Sequence, residues 1–516
     1  MKKPKIKNEG IVMKKRLLVS ALGMAIVMSV STTAWAASKI DGKVTNDSKV
    51  EQAANIAIGE NNKASMGSIS IKNSEVGKTG VVTNKSTVKQ AANIAIGKGN
   101  EANMGSINMK NAKVDGKLTN TSDVKQAANI AIGENNKANM GSVNMEGGSI
   151  GKTGVVTNKS TVEQAANIAI GKGNTANMGS INMKNAKVDG KLTNTSTVKQ
   201  AANIAIGENN TANMGSVNMT GGSIGKTGVV TNKSTVEQAA NIAIGKGNTA
   251  NMGSINMQNA KVDGKVTNTS TVKQAANIAI GKGNEANMGS INMKNAKVDG
   301  KLTNTSDVKQ AANIAIGENN KANMGSVNME GGSIGKTGVV TNKSTVEQAA
   351  NIAIGKGNTA NMGSINMKNA KVDGKLTNTS TVKQAANIAI GENNTANMGS
   401  VNMTGGSIGK TGVVTNKSTV EQAANIAIGK GNTANMGSIN MQNAKVDGKV
   451  TNTSTVKQAA NIAIGENNTA NMGSINLKNA EVGKTGVITN KSDIKQAANI
   501  AIGKGNEASM GSIQVE

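Results

Sequence analysis

A chain of 516 residues is long enough for several globular domains, but this one has 62 glycines and no Phe, Tyr, Cys or His. That composition excludes an aromatic-rich core, disulfide staples and any nucleophile–base apparatus built on histidine or a thiol, so no enzyme is expected. Its 58 basic and 31 acidic residues give a formal charge of +27, which favours solubility and nonspecific adhesion to polyanions.

The N-terminal residues read as a separate segment. Lys14, Lys15 and Arg16 precede an apolar run from Leu17 to Val30 and then "TTAWAAS", Thr32 to Ser38. This is the three-part layout of a secretory signal, with Ala34 and Ala36 suiting cleavage before Ala37, and the apolar run falls short of the ~20 residues that span a bilayer. The expected organisation is therefore a signal peptide over 1–36 and one continuous array over 37–516. Beyond the signal the only cation is lysine, 51 of them against 30 carboxylates, a net +21, and there is no aromatic residue, arginine or proline. A specific nucleic-acid reader would need arginine and stacking aromatics, so none is expected.

From there to the C-terminus the chain repeats itself. "QAANIAIG" begins at Gln52, Gln90, Gln126, Gln164 and so on to Gln496, thirteen times, at intervals of 36 or 38 residues. A fixed period of this size indicates an array of stacked units. In the copy Thr161 to Ser196, Val162, Gln164, Ala166, Ile168 and Ile170 alternate with Glu163, Ala165, Asn167 and Ala169, the period of two of a strand. Gly171 to Asn174 supplies a turn, for which the glycines Gly59, Gly97, Gly133 and Gly171 tolerate positive φ. A second alternating run follows through Ala176 and Met178 to Ile181 and Met183, and a third short strand is expected around Leu192, Asn194 and Ser196. The connections come in two lengths, "KNAKVDGKLTNTS" (Lys184 to Ser196) and "EGGSIGKTGVVTNKS" (Glu146 to Ser160). Placing the two extra residues in a turn lets the strands keep register. The string "GGSIGKT" (Gly147 to Thr153) lacks the first glycine of a phosphate loop and reads as a turn.

These features predict an all-β fold, a β-solenoid or cross-β stack of thirteen repeats, with one or two rungs per repeat left open. Stacked amides then form hydrogen-bonded ladders, for which Gln52, Asn55, Asn62, Gln90, Asn93, Asn100, Gln126, Asn129 and Asn136 are the candidates. Charge supports stacking. The residue after the turn glycine reads Glu60, Lys98, Glu134, Lys172, Glu208, Lys246, Lys282, Glu318, Lys356, Glu392, Lys430, Glu466, Lys504, alternating in sign except at Lys246–Lys282. Touching rungs favour that order, because like charges at rung spacing repel. All 23 methionines beyond the signal occupy two repeat positions, exemplified by Met104 and Met109, and read as gap-filling core residues. No metal or cofactor is expected.

The core "Q-A-A-N-I-A-I-G-x-x-N-x-A", followed by "N-M-G-S-[IV]", resembles the repeats of bacterial functional amyloid subunits, especially the Fap-type fibre proteins. Its "G-x-x-N-x-A" fragment, at Gly59, Asn62 and Ala64 and again at Gly97, Asn100 and Ala102, is similar to part of the curlin repeat. The resemblance implies a subunit secreted through the inner membrane, passed through an outer-membrane export pore and assembled outside the cell, with a nucleator subunit, into cross-β fibres for biofilm matrix or adhesion. Its main partner is then itself. The competing expectation is a monomeric β-solenoid adhesin or ice-binding protein, using "TNTS" and "TNKS" (Thr119 to Ser122, Thr157 to Ser160) as an exposed Thr/Asn/Ser ladder.

Overall fold

The computed structural model describes residues 32–34 and 39–515, apart from 62, 468 and 506. The signal-peptide reading lies almost entirely outside these residues. Within it only the strand Thr32–Ala34 is described, paired in parallel with Ile69, Ser70 and Ile71.

The array is a parallel β-solenoid in which each repeat forms one rung. Four strands recur per rung, for example Val155–Lys172, Thr175–Met178, Ile181–Lys184 and Lys187–Val188. Equivalent strands of successive rungs stack into three 13-stranded sheets and one 14-stranded sheet. Within the strands, paired residues are counterparts one repeat apart: Ala128 with Ala166, Ile132 with Ile170, Met140 with Met178. At a strand spacing of ~4.8 Å, thirteen rungs make a rod of about 60 Å.

Two local readings are corrected. Leu192, Asn194 and Ser196 do not form a short strand of their own; they open the 18-residue strand Lys191–Glu208, which runs on into the next "QAANIAIG". The apolar face of that long strand is not continuous either. Val156, Asn158, Ser160 and Val162 point inward, but beyond Gln164 the buried residues are Asn167 and Ala169, while Ile170 is exposed. The pairing steps from Val124–Val162 to Gln126–Gln164 at the point where the parity changes. A bulge-like shift of one residue exchanges the two faces of a strand, because the side-chain period is two.

The parity change shapes a tapering core. At its wide end Val156, Ile181, Met183, Ala186 and Val188 form one cluster. In the middle Met178 packs with Val162, and at the narrow end alanines such as Ala279 and Ala286 close the rung. Met104 and Met109 are both buried, as gap-filling residues should be. The long and short connections differ only at one corner. In the long form the Gly154 N–H donates to the Gly151 carbonyl at 2.9 Å; in the short form Asp189 N and Gly190 N both donate to the Ile150 carbonyl. Lys191 still pairs with Val155, so the insertion leaves the strands in register. Gly147 and Gly148, from the phosphate-loop-like string, take φ of 64° and 68° at a corner, and Ile150 is fully buried.

Candidate functional site

In a solenoid with one repeat per rung, every functional side chain is a column along the rod. The buried columns are amide ladders. Asn129 Nδ2 donates to Asn167 Oδ1 at 2.8 Å, and Asn167 Nδ2 to Asn203 Oδ1 at 2.8 Å. The alternating pattern missed a second buried column: Asn120 donates to Asn158 at 2.8 Å and Asn158 to Asn194 at 2.8 Å. The side chains of Gln52, Gln90, Gln126, Asn55 and Asn93, and all of Asn62, lie outside the described residues, although the glutamine backbones pair in register.

The turn motif has a specific cause. Gly59, Gly97, Gly133 and Gly171 have φ of 122°, 130°, 129° and 132°, and a Cβ on Gly133 would strike the carbonyl of Gly97. That carbonyl accepts from Asn136 Nδ2 at 3.3 Å, and Asn136 Oδ1 accepts the Asn100 N–H at 2.9 Å. Asn136 itself donates its N–H to Asn174 Oδ1 at 3.0 Å. Gly-x-x-Asn is therefore a clamp between rungs, and Asn100 and Asn136 form their column through bonds between side-chain amide and backbone.

Two further asparagine columns line an outer groove between two short-strand sheets, with a volume of about 1170 Å³ where Asn251, Asn256, Lys321 and Glu330 line it and about 210 Å³ around Asn139, Asn144, Asn177 and Asn182. Asn177 donates to Asn139 at 2.8 Å, Asn182 to Asn144 at 2.9 Å, and Asn177 bridges the columns to Asn144 at 3.2 Å. Lysines and glutamates flank this groove: Lys137 meets Glu146 at 2.6 Å, and Lys321 meets Glu330 at 3.2 Å and Glu285 at 3.8 Å. The hydrogen bond from Lys137 holds Glu146 below the usual carboxylate range. Burial pulls Lys321 down, but Glu285 and Glu330 together outweigh it and leave the ammonium above its ordinary value.

The opposite side, the outer face of the "QAANIAIG" sheet, is apolar. Ala166 and Ile168 are half-buried and Ile170 is 37% exposed, and Ile96, Ile132, Ile206 and Ile244 repeat that exposure. Two charged columns bound this face. Glu60, Lys98, Glu134 and Lys172 stack in register along one edge. In the same column ion pairs form at Lys282–Glu318 (2.9 Å) and Lys356–Glu392 (3.4 Å). Along the other edge, the residue before each glutamine forms Lys89–Glu51 (2.9 Å) and Lys199–Glu163 (3.4 Å).

The "TNTS" and "TNKS" segments are only half exposed. Asn120 and Ser122, like Asn158 and Ser160, are buried, so the expected Thr/Asn/Ser ladder is reduced outside to Thr119, Thr121 and Thr157 with Lys159. Among the described residues no group of three or more acidic side chains is placed to hold a metal ion.

The fold and these columns define the class: a single-chain, parallel, in-register β-solenoid. No family model, no curated protein and no solved structure matches the chain.

Proposed function

We propose that the protein is a secreted structural subunit that assembles end to end into extracellular cross-β fibres for biofilm matrix or surface adhesion. An export pore and a nucleator are its accessory partners. The observation that carries this reading is the interchangeability of the rungs. Each rung presents the same backbone edge and amide columns on both sides, so the edge that receives one rung can receive a rung of another molecule. The outermost described rung has the matching surface. Val487–Lys504 and Ile513–Val515 have a neighbour on one side only, and Ile513 and Val515 are each 72% exposed, where their interior counterparts Ile439 and Met441 are buried.

The test is to dilute the chain from Ala37 to Glu516 out of denaturant and image it by negative-stain electron microscopy, with fibre diffraction on any filaments. Unbranched fibres with a meridional spacing of about 4.7 Å are expected. Rods that remain separate at high concentration would sink the fibre reading and favour the surface-binding solenoid.

A further inference from the structure

Numbering the rungs 1 to 13 by their glutamines makes the outer face of the long-strand sheet legible as an interface. From Ala166 to Ile170 it spans about 13 Å, and thirteen rungs extend it for about 60 Å, an apolar strip of roughly 800 Å². The largest apolar patch on an ordinary monomer is ~300–600 Å², and one partner in a standard stable complex contributes ~800 Å². A partner that matches a strip of isoleucines at rung spacing needs the same spacing, which a second copy of this chain has.

The two charged columns say how that copy lies. If the rods meet face to face and antiparallel, rung 7 meets rung 7 and rung 6 meets rung 8, out to rung 1 against rung 13. The column after the turn glycine then brings opposite charges together in all six off-centre pairs, such as Lys172 with Glu392 and Glu60 with Lys504. The column before the glutamine does so in five of six, the exception being Lys89 with Lys457. The slip at Lys246–Lys282 is what makes this so. In a column of thirteen that alternated without it, symmetry-related rungs would carry the same sign and every pair would repel. A parallel pairing sets the two columns of one rung against each other, and four rungs (1, 2, 7 and 13) then bring like charges together on both edges, whereas the antiparallel pairing does so on both edges only at rung 7, where Lys273 and Lys282 meet their own copies.

We propose that two copies of the chain pair side by side, antiparallel and fully overlapped about rung 7, through the Ala166–Ile168–Ile170 face. The pairing goes beyond end-to-end growth and does not require it.

The chain has no cysteine, so single cysteines on this outward face report the geometry directly. In the full-length array, Ile278→Cys in rung 7 is expected to cross-link to its own copy with a short bis-maleimide. Ile94→Cys in rung 2 should not cross-link to itself, because antiparallel overlap holds those two residues ten rungs, about 48 Å, apart. Mixed with Ile462→Cys in rung 12, it should give the heterodimer. Sedimentation supplies the second arm: Lys172→Glu should lower the paired fraction, and Lys172→Glu with Glu392→Lys should restore it, although both variants still place like charges along their own rod. Self-cross-linking of Ile94→Cys, no cross-link at Ile278→Cys, or no rescue by the double reversal each overturns the proposal. Fibres without cross-links would refute pairing and leave end-to-end growth standing; cross-linked pairs without fibres would do the reverse.

Discussion

Removing one amide from an interior ladder should cost more than its size suggests. Asn241 is fully buried. Its Nδ2 donates to Asn277 Oδ1 at 2.8 Å and to the Ala212 carbonyl at 3.1 Å, and its Oδ1 accepts from Asn203 Nδ2 at 2.8 Å. Asn241→Ala deletes all three bonds and leaves the Asn203 amide, itself fully buried, without its acceptor. An orphaned buried donor costs about 1–3 kcal/mol and each lost bond about 0.5–1.5 kcal/mol net, so about 3 kcal/mol is a conservative sum. Because a solenoid's rungs interact with their neighbours, the loss should concentrate in the mutated rung and the two beside it. Hydrogen exchange on the full array reads this directly: about 3 kcal/mol is roughly a hundred-fold faster exchange for amides that open locally. Asn209, an exposed turn residue with φ of 55°, is the control: Asn209→Gly, which installs the residue found at this position in the adjacent rungs as Gly173 and Gly247, should leave protection within a factor of about three, since surface changes rarely exceed ~0.5 kcal/mol. Unchanged protection in Asn241→Ala would falsify the claim that the ladders stabilise the stack.

Gly245→Ala should destabilise the array far more than Gly283→Ala in thermal unfolding, because a Cβ at Gly245 meets the Gly207 carbonyl while one at Gly283 meets nothing within 4 Å. Both positions have positive φ, but 68° at Gly283 lies in the left-handed region open to other residues and 135° at Gly245 lies outside it, so strain adds to the clash at Gly245. Met252→Leu should cost under about 1.5 kcal/mol by denaturant midpoint and Met252→Ala about 2–5 kcal/mol, as expected for a fully buried gap-filler. Glu330 is held below the ordinary carboxylate range, first by the Lys321 charge, so its stabilisation is present above the unfolded carboxylate pKa and lost as pH falls through its lower folded value. Lys321, held above its ordinary value, contributes stability that is full below the unfolded lysine pKa and disappears as pH rises through the folded one. Urea midpoints across pH should therefore fall at both extremes, and Glu330→Gln should flatten both limbs.

What the sequence revealed and what it hid have the same physical origin. The period gave the stacked array but left open whether a repeat makes one rung or two; the structure shows one, each strand pairing with its own copy 36 or 38 residues away. The Gly-x-x-Asn turn and the buried methionines were legible for the same reason: local chemistry repeated thirteen times is read thirteen times. The facing of Ile168 and Ile170 was not legible. Simple alternation carries one parity from Val162 through Ile170, and nothing in "VEQAANIAI" marks the parity shift that turns the isoleucines outward and Asn167 and Ala169 inward. The Asn158 column was hidden similarly, since "TNKS" has the composition of a solvated turn while its backbone belongs to an 18-residue strand. Its invariance was the available signal, as asparagine stands there in every rung while the next position varies between Lys159 and Thr195.

The charge distribution connects the two proposed contacts. The columns bordering the isoleucine face hold 15 lysines and 11 glutamates, so they contribute only a small part of the +21 carried beyond the signal. The remaining excess is divided between the corner strands and connections, at positions such as Lys184 and Lys187, and the first half of the 18-residue strands, at Lys191 and Lys159, beyond the Glu163 column. A rod with that distribution can close its nearly neutral apolar face against a second rod without bringing two strongly positive surfaces together. The lysines of the corner strands then lie off the paired face, where a polyanion can bridge them, while those of the Lys159 and Lys191 columns flank it and are screened by salt. Pairing and polyanion binding would thus use different sides of one rung, and added polyanion should bundle the pairs without separating them.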